Sequence, residues 1–460
     1  MSLRKILRYA FYVLATLLLL FVGFVVSNLF DAPLKPEAAQ ELEWKPPSNW
    51  RENNAFVILM ALQKNRDISD TEAYAIGSQS IDQLITSYKA GKPPVEAVEE
   101  QKLLMTRSEI LRQQQCDYVQ VKNCVDFYRA ISDPVFQKLM SEQAAPLRLF
   151  ALMKQYKKYQ EVSIPRLDYP LPGFRSLVDV FETDNIKVVR ELKQSPQQSV
   201  QKLNENLAYS ASLLKQSNTL IGKMVYLSLL QKQLRLIREI APDMQSLNSA
   251  SKELADLQLT LSAIAAEKFD LGDALRTERQ LNIDSWSLMQ SSSREQAETG
   301  FWAQFGSALY RKNATLNLLY DWVEIEREFA SVDVLHYPKA KQLRDEKQQA
   351  LMGWGVDPYY VRDPVAKIVV NVMRGIYDPY IERMFDMHAH LDLTRLRLAL
   401  SLQQTDAKDI QSYAQQHGIV LKDTPTAGFV SMSFDKENLA LTASAFQASN
   451  QIYQRNKYFH

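Results

Sequence analysis

The feature that most limits what this chain can become is an unbroken apolar run, Tyr9–Val26, directly behind Arg4, Lys5 and Arg8. As helix it spans roughly 27 Å, close to the ~30 Å hydrocarbon core of a bilayer. Leu29 and Phe30 lengthen it across Ser27 and Asn28. It holds no charge and no proline, so every backbone group can be paired within the helix. Tyr9 and Tyr12 lie near its basic end, where amphipathic rings favour the headgroup layer. A soluble core helix fits poorly with so pure a run at the N-terminus. A cleaved signal peptide, with Val25 and Ser27 at the −3 and −1 positions, is the competing reading. The run exceeds the usual 7–15 residues of such a peptide, and the A-x-A pattern is missing.

Charge orients the span. Residues 1–8 carry three cations and no acid, whereas Asp31, Glu37, Glu41 and Glu43 outnumber Lys35 and Lys45 just beyond it. The positive-inside bias predicts a cytoplasmic N-terminus and an exported bulk. No second run approaches this length; the best is Ala55–Leu62. A single-pass membrane protein with a cytoplasmic N-terminus and an exported bulk is therefore expected.

At 460 residues the length prior is two to three domains. Thirteen glycines are few against a usual ~7%, which disfavours Gly-loop and β-rich architectures and suits long helices. The net charge of +1 leaves no basic surplus for phosphates, which argues against nucleic acid. The expected fold is mostly α: a transmembrane helix, an exported domain of antiparallel, irregularly solenoid-like helices, and a small C-terminal β-hairpin.

Composition shifts divide the chain into a stub at 1–8, a signal-anchor at 9–30 and a Pro-rich spacer at 31–50 that lifts the rest off the bilayer. An N-terminal helical region follows at 51–162, then a connection at 163–175 with three prolines and a glycine, then a C-terminal region at 176–460. Leu220, Met224, Leu227, Leu230, Leu234 and Ile237 keep one helical stripe, read as core. Pro242 is expected to open the next helix, through about Leu271, and a last helix is expected from Pro379 to Gln404. Trp286, Phe301, Trp302, Tyr310, Leu316, Tyr320 and Trp322 read as core packing between helices. Phe429–Phe434 and Leu439–Ala445 alternate around Asp435-Lys436-Glu437-Asn438, which reads as the hairpin.

Cys116 and Cys124 are the only cysteines. On the exported side, an even, close pair is most simply a disulfide. Residues eight apart on one continuous helix are separated by roughly 12 Å of rise, whereas a disulfide needs Cα atoms within ~7 Å. The helix must therefore break between them for the bond to form, and Asp117–Val121 is the candidate break. Closing so small a loop is worth roughly 2.5 kcal/mol in the chain-entropy model. Redox or zinc chemistry is the alternative, but the spacing is not CxxC and no histidine is near.

The sharpest catalytic signal is Asp386-Met387-His388-Ala389-His390, which resembles the D-x-H-x-H opening of metal-dependent amidohydrolases. Too few residues follow it for a (β/α)₈ barrel. The surrounding sequence reads as helix, where residues two apart diverge, and His336, His417 and His460 supply no evident ligand set. The expectation is surface histidines on a helix, with no metal, no cofactor and no catalytic residue assigned. G-x-S-x-G, Walker and G-x-G-x-x-G patterns are absent. Asn313-Ala314-Thr315 fits the N-glycosylation pattern and means nothing in a bacterium.

Several segments together resemble a family of single-span inner-membrane proteins of proteobacteria without an assigned activity. They are the basic N-terminus with its anchor, Asn54-Ala55-Phe56, the Cys116/Cys124 pair, Ser217-Asn218-Thr219-Leu220-Ile221-Gly222-Lys223-Met224, Asn313-Ala314-Thr315-Leu316-Asn317 and Arg362-Asp363-Pro364. The resemblance implies a membrane-anchored, mostly helical envelope protein. Expected partners are the bilayer, through residues 9–30, and an envelope protein of biogenesis, division or secretion machinery, held as a non-enzymatic scaffold. An envelope hydrolase with a site between helices, and a periplasmic chaperone or lipid carrier, are the alternatives.

Overall fold

The structure is a computed structural model. It describes residues 3–28, 30–41, 43–62, 68–92, 109–116, 121, 123–166, 169, 171–244, 246–295, 310–332, 336–352, 363–403, 409–416, 419, 431–435 and 440–444. These residues are mostly helical. The chain divides into two compact units, each assembled from separated stretches. One comprises Met1–Lys45, Pro165–Leu167 and Leu275–Tyr377; the other comprises Pro46–Ile164, Asp168–Ala274 and Asp378–His460.

In the first unit the apolar run forms a 25-residue helix, Leu3–Ser27. Its large side chains point outward: Leu14, Leu17, Leu18, Leu19 and Leu20 are all exposed. This helix is long and apolar enough to cross a membrane. Its end is closed locally, with Asn28 Nδ2 donating to Phe24 C=O at 2.9 Å and Asn28 N–H to Val25 C=O at 3.0 Å. The unit's folded body is the Lys312–Ala330 helix, against which the helices Tyr337–Met352, Pro364–Val372 and Pro36–Glu41 pack. Leu316, Leu319, Trp322, Val323 and Phe329 form its core. Of the expected aromatic cluster, Trp322 is buried and Tyr310 and Tyr320 half-buried, while Phe301, Trp302 and the Trp286 side chain lie outside the described residues.

The second unit is a layered helical body. Leu220–Met244 packs along Asp378–Gln403 on one side and Pro196–Gln216 on another, and Ser251–Ala266 covers the latter two. Leu220, Leu227, Leu230, Leu234 and Ile237 are buried, so the Leu stripe is core as its spacing predicts; Met224 is half-buried. Pro242 does not open the next helix. It lies inside the last turn of Leu220–Met244, and the following long helix starts at Ser251. The last long helix is Asp378–Gln403.

Ala55–Leu62 is a short helix in which every residue is buried. Helices this short are not stable alone, and its ends are tied in. Asn54 Oδ1 accepts from Phe56 N–H and Gln160 N–H, and Asn54 Nδ2 donates to the Trp50 and Gln160 carbonyls. It packs against Asp70–Lys89, which opens on a capping box between Ser69 and Glu72. Ala73, Gly77, Ile81 and Ile85, four residues apart, form the buried stripe of that helix. Gly77 permits the closest approach: a Cβ there would overlap the Val57 carbonyl.

The small C-terminal β-hairpin expected over Phe429–Ala445 is not supported: the described fold is helical, and the turn of that hairpin, 436–439, lies outside the described residues.

The Gly77 contact can be tested directly. On an open helix face, Gly77→Ala would stabilise by up to about 1 kcal/mol through helix propensity. Here the added methyl meets backbone, and overpacking of that kind costs about 1–3 kcal/mol. Urea unfolding of the detergent-solubilised protein should show Gly77→Ala less stable than wild type; equal or greater stability would contradict the packing described.

Candidate functional site

The sequence reads residues 31–50 as a free spacer. The structure corrects this for residues 31–41, which are bonded onto the Lys312–Ala330 helix. Asp31 caps that helix, its carboxylate accepting from Asn313 N–H at 2.9 Å and Ala314 N–H at 3.0 Å. An acid at a helix N-terminus answers both the unpaired N–H groups and the positive end of the dipole. Asn313 Nδ2 donates to Ala32 C=O, Asn317 Nδ2 to Pro33 C=O, and Lys35 N–H to Asn317 Oδ1. Lys35 Nζ pairs with Asp321 at 2.6 Å. Pro33 keeps residues 31–35 extended and removes an N–H donor they have no use for, and Pro36 opens the short Pro36–Glu41 helix.

The strand ends on a buried charge. Arg279 has no exposed surface, and its guanidinium donates to Glu41 and, at 2.7 Å, to Glu324, while lying 4.2 Å from the centre of the Tyr320 ring. Glu324, held also by Arg327, has its carboxyl below the ordinary range despite opposing desolvation, through the hydrogen bonds from both arginines. At the other end, Asn28 Oδ1 accepts from Asp363 N–H at 2.8 Å. Asp363 adopts the left-handed region (φ 53°), which Asp tolerates better than most residues, and opens the Pro364–Val372 helix. The chain leaving the apolar helix is therefore clasped by its own unit at Asn28 and over residues 31–41.

In the second unit the most concentrated polar chemistry surrounds Glu161. This buried carboxylate accepts from Ser217 Oγ at 2.7 Å, Thr219 Oγ1 at 2.9 Å, Asn218 N–H at 3.1 Å and Tyr159 Oη at 3.1 Å. Tyr159 in turn bonds Tyr226. Desolvation raises the Glu161 pKa, and the hydrogen bonds only partly offset it. Burial and the neighbouring carboxylate hold both phenols well above their ordinary value. Lys223 Nζ donates to the Leu214 and Lys215 carbonyls, and burial lowers its pKa. Glu161 thus meets the start of Leu220–Met244 and Lys223 the end of Pro196–Gln216, each charge complementing a helix terminus. Gly222 is required there, because a Cβ would overlap Glu161 and Ser217. With both carboxylate oxygens engaged, the cluster works as a joint between two helices.

A second buried set lies on Phe174–Glu191, whose Glu182, Thr183, Asp184 and Asn185 are all inside. Asp184 accepts from Asn206 Nδ2 at 2.9 Å and faces Lys202 at 3.3 Å and Lys154 at 4.0 Å. Desolvation lowers the Lys154 pKa against the pull of Asp184. Gln233 donates to Asn185 at 2.8 Å. Glu182 accepts from Tyr128 and from Cys116 N–H at 3.3 Å.

That last bond leads to the cysteines. The Glu109–Gln114 helix ends before Cys116 and the next helix begins at Cys124, so the chain breaks where the geometry requires. The two residues come to disulfide distance, with Cα atoms 5.6 Å apart. Glu239, held by Arg235 at 2.6 Å, accepts from Cys124 N–H at 2.8 Å and Val125 N–H at 3.3 Å. Two carboxylates therefore fix the ends of the cysteine loop.

His388 and His390 lie on the Asp378–Gln403 helix, as expected, and are half-buried rather than fully exposed. His388 packs against the Phe269 ring, 6.1 Å between centres, and burial lowers its pKa. The His390 pKa is pushed down to about 3, by desolvation first and then by Arg238 and Arg235. Arg238 also donates to Thr394 Oγ1 at 2.8 Å. Two residues apart on a helix differ by about 200° in direction, so these side chains do not converge on one ion. No grouping of three or more His, Cys, Asp or Glu side chains that could hold a metal occurs among the described residues.

No protein-family model, curated protein or solved structure matches this chain. Its site must be read from its own chemistry. The sequence missed Glu41, Glu161, Glu182, Asp184 and Arg279; the one local hint was a charge or small residue inside an otherwise apolar stretch, as in Leu220-Ile221-Gly222-Lys223-Met224.

The His390 environment sets a pH dependence. A folded pKa depressed from 6.5 to about 3 means the unfolded chain takes up a proton that the folded chain refuses. Stability is complete above pH 6.5 and falls as pH drops towards 3, by up to about 1.4 kcal/mol per pH unit. His390→Gln should lose less stability than wild type between pH 7 and 4.5 in urea titrations; parallel pH profiles would contradict the assignment.

Proposed function

We propose that this chain is a membrane-anchored, non-enzymatic interaction protein of the bacterial cell envelope, with its N-terminus in the cytoplasm and its helical units in the periplasm. The observation that carries the reading is the pairing of an exposed apolar helix with an exit bonded into the folded protein at Asn28, Asp31, Lys35 and Glu41. Such a clasp fixes the attitude of the first unit to the membrane, which suits a surface offered to a partner. Arg4, Lys5 and Arg8 support the inward N-terminus. The cysteine pair supports an oxidising compartment.

The buried carboxylates favour this reading over a hydrolase. Glu161, Glu182 and Asp184 are committed to helix ends, backbone N–H groups and amides. A small cavity in the first unit is lined by Trp322, Gln348, Met352, Val370, Asn371 and Arg374, without a carboxylate or histidine. An open groove along Asp70–Lys89 is polar, with Gln79, Asp82, Gln83 and Thr86. The family resemblance belongs to the same reading.

Topology and partner are tested together in cells. Protein extracted without reductant should weigh two hydrogens less than the reduced chain, and Cys124→Ala should abolish that difference. In-cell crosslinking should recover the same envelope proteins reproducibly. Two free thiols in the native protein, or recovery of no envelope protein across repeats, would overturn the proposal.

A further inference from the structure

We infer that the segment Pro364–Ile376 is a second membrane contact, an interfacial helix lying on the bilayer beside the anchor; this rests on the anchor reading above. The helix Pro364–Val372 has the sequence PVAKIVVNV and is apolar on two faces. Its inner face, Ala366 and Val370, is buried in the first unit, with Val370 and Trp322 lining the same cavity. Its outer face presents Ile368 and Val372, 65% and 77% exposed, followed by Ile376 at 51%. Ile368 and Val372 fall four residues apart on one side of the helix, and Ile376 follows in the turn beyond it, after Gly375 at φ 70°. Beyond the anchor, the other exposed large apolar side chains among the described residues are scattered singly: Phe30, Leu171, Ile221, Leu259 and Leu343. Isolated examples are ordinary on soluble proteins, but a contiguous row needs an occupant.

Position identifies the occupant. Asp363, the residue that opens this helix, donates its N–H to Asn28, the first residue after the anchor helix, at 2.8 Å. The start of Pro364–Val372 is thus pinned where the chain leaves the hydrocarbon. Nine residues extend roughly 13 Å, longer than one headgroup layer is deep, given a ~30 Å core within a ~40–45 Å bilayer. Standing upright, the helix would carry Val372 and Ile376 into water; lying flat, it sets all three side chains at the acyl boundary. Arg374 is exposed and Lys367 half-buried beside that row, the arrangement of an amphipathic helix that binds anionic headgroups through its flanks. A protein partner on the same face is the competing outcome.

The test uses the full-length protein in nanodiscs of mixed zwitterionic and anionic lipid, with a nitroxide on one introduced cysteine at a time: Val372→Cys, Leu18→Cys in the anchor, and Gln79→Cys on the exposed face of Asp70–Lys89. All three replace exposed residues, and labelling is done with the Cys116–Cys124 pair oxidised. Collision with oxygen relative to a water-soluble relaxant should be high at Leu18, low at Gln79 and shifted well towards the Leu18 value at Val372. A lipid signal at Leu18 with a water signal at Val372 overturns this inference and leaves the anchor standing. A water signal at Leu18 overturns the anchor reading and this inference with it.

Discussion

A guanidinium with no exposed surface must be answered by carboxylates, and the answer to Arg279 decides how the N-terminal apolar helix joins the rest of its unit. Leaving one partner of such a buried pair unanswered costs about 3–5 kcal/mol. Glu324 is supplied from the same folded body, but Glu41 comes from the segment that follows the N-terminal apolar helix. Burying Arg279 therefore commits residues 31–41 to a fixed course along Lys312–Ala330. Asp31 as a helix cap and the Lys35–Asp321 pair fall into register along that course. Exposed pairs such as Lys35–Asp321 contribute little alone; their part is to set the path that the buried pair holds.

The second unit applies the same economy to its interior. Several of its buried charged groups sit at helix termini, where unpaired backbone groups would otherwise be buried. Glu161 answers the start of one helix, Lys223 the end of the preceding one, and Glu239 the start of the helix that carries Cys124. An acid or base there satisfies several backbone groups at once, which is why Gly222 has no room for a side chain. A polar interior built this way fixes one arrangement of the helices at the expense of groups that could act on a substrate.

How much of this was legible depended on how far apart in sequence the partners lie. The long apolar helix near the N-terminus, the Leu stripe of Leu220–Met244 and the helix break between Cys116 and Cys124 follow from local periodicity and reach, and the structure agrees with them. The clasp did not show, because Pro33, Pro36 and nearby acids have the composition of a free linker as well as of an extended docked strand. Its partners at Asn313, Asn317 and Asp321 are some 280 residues away. The joint at Glu161 was hidden similarly, since Ser217 and Thr219 meet it across more than fifty residues. The helical setting of His388 and His390 is legible locally, but their half-burial is not, because it depends on Phe269 and Arg238, over a hundred residues earlier.

The account turns on whether residues 31–41 belong to the folded protein. Hydrogen exchange of the backbone amides of Lys35, Asn313 and Ala314 in the full-length protein in nanodiscs measures this most directly, because each donates to a partner across the clasp. Protection of all three, lost together when Arg279 is replaced by Met, is the result expected. Exchange of Lys35 at the rate of an unstructured peptide in the wild-type protein would show a free tether, and would contradict the clasp and the function built on it.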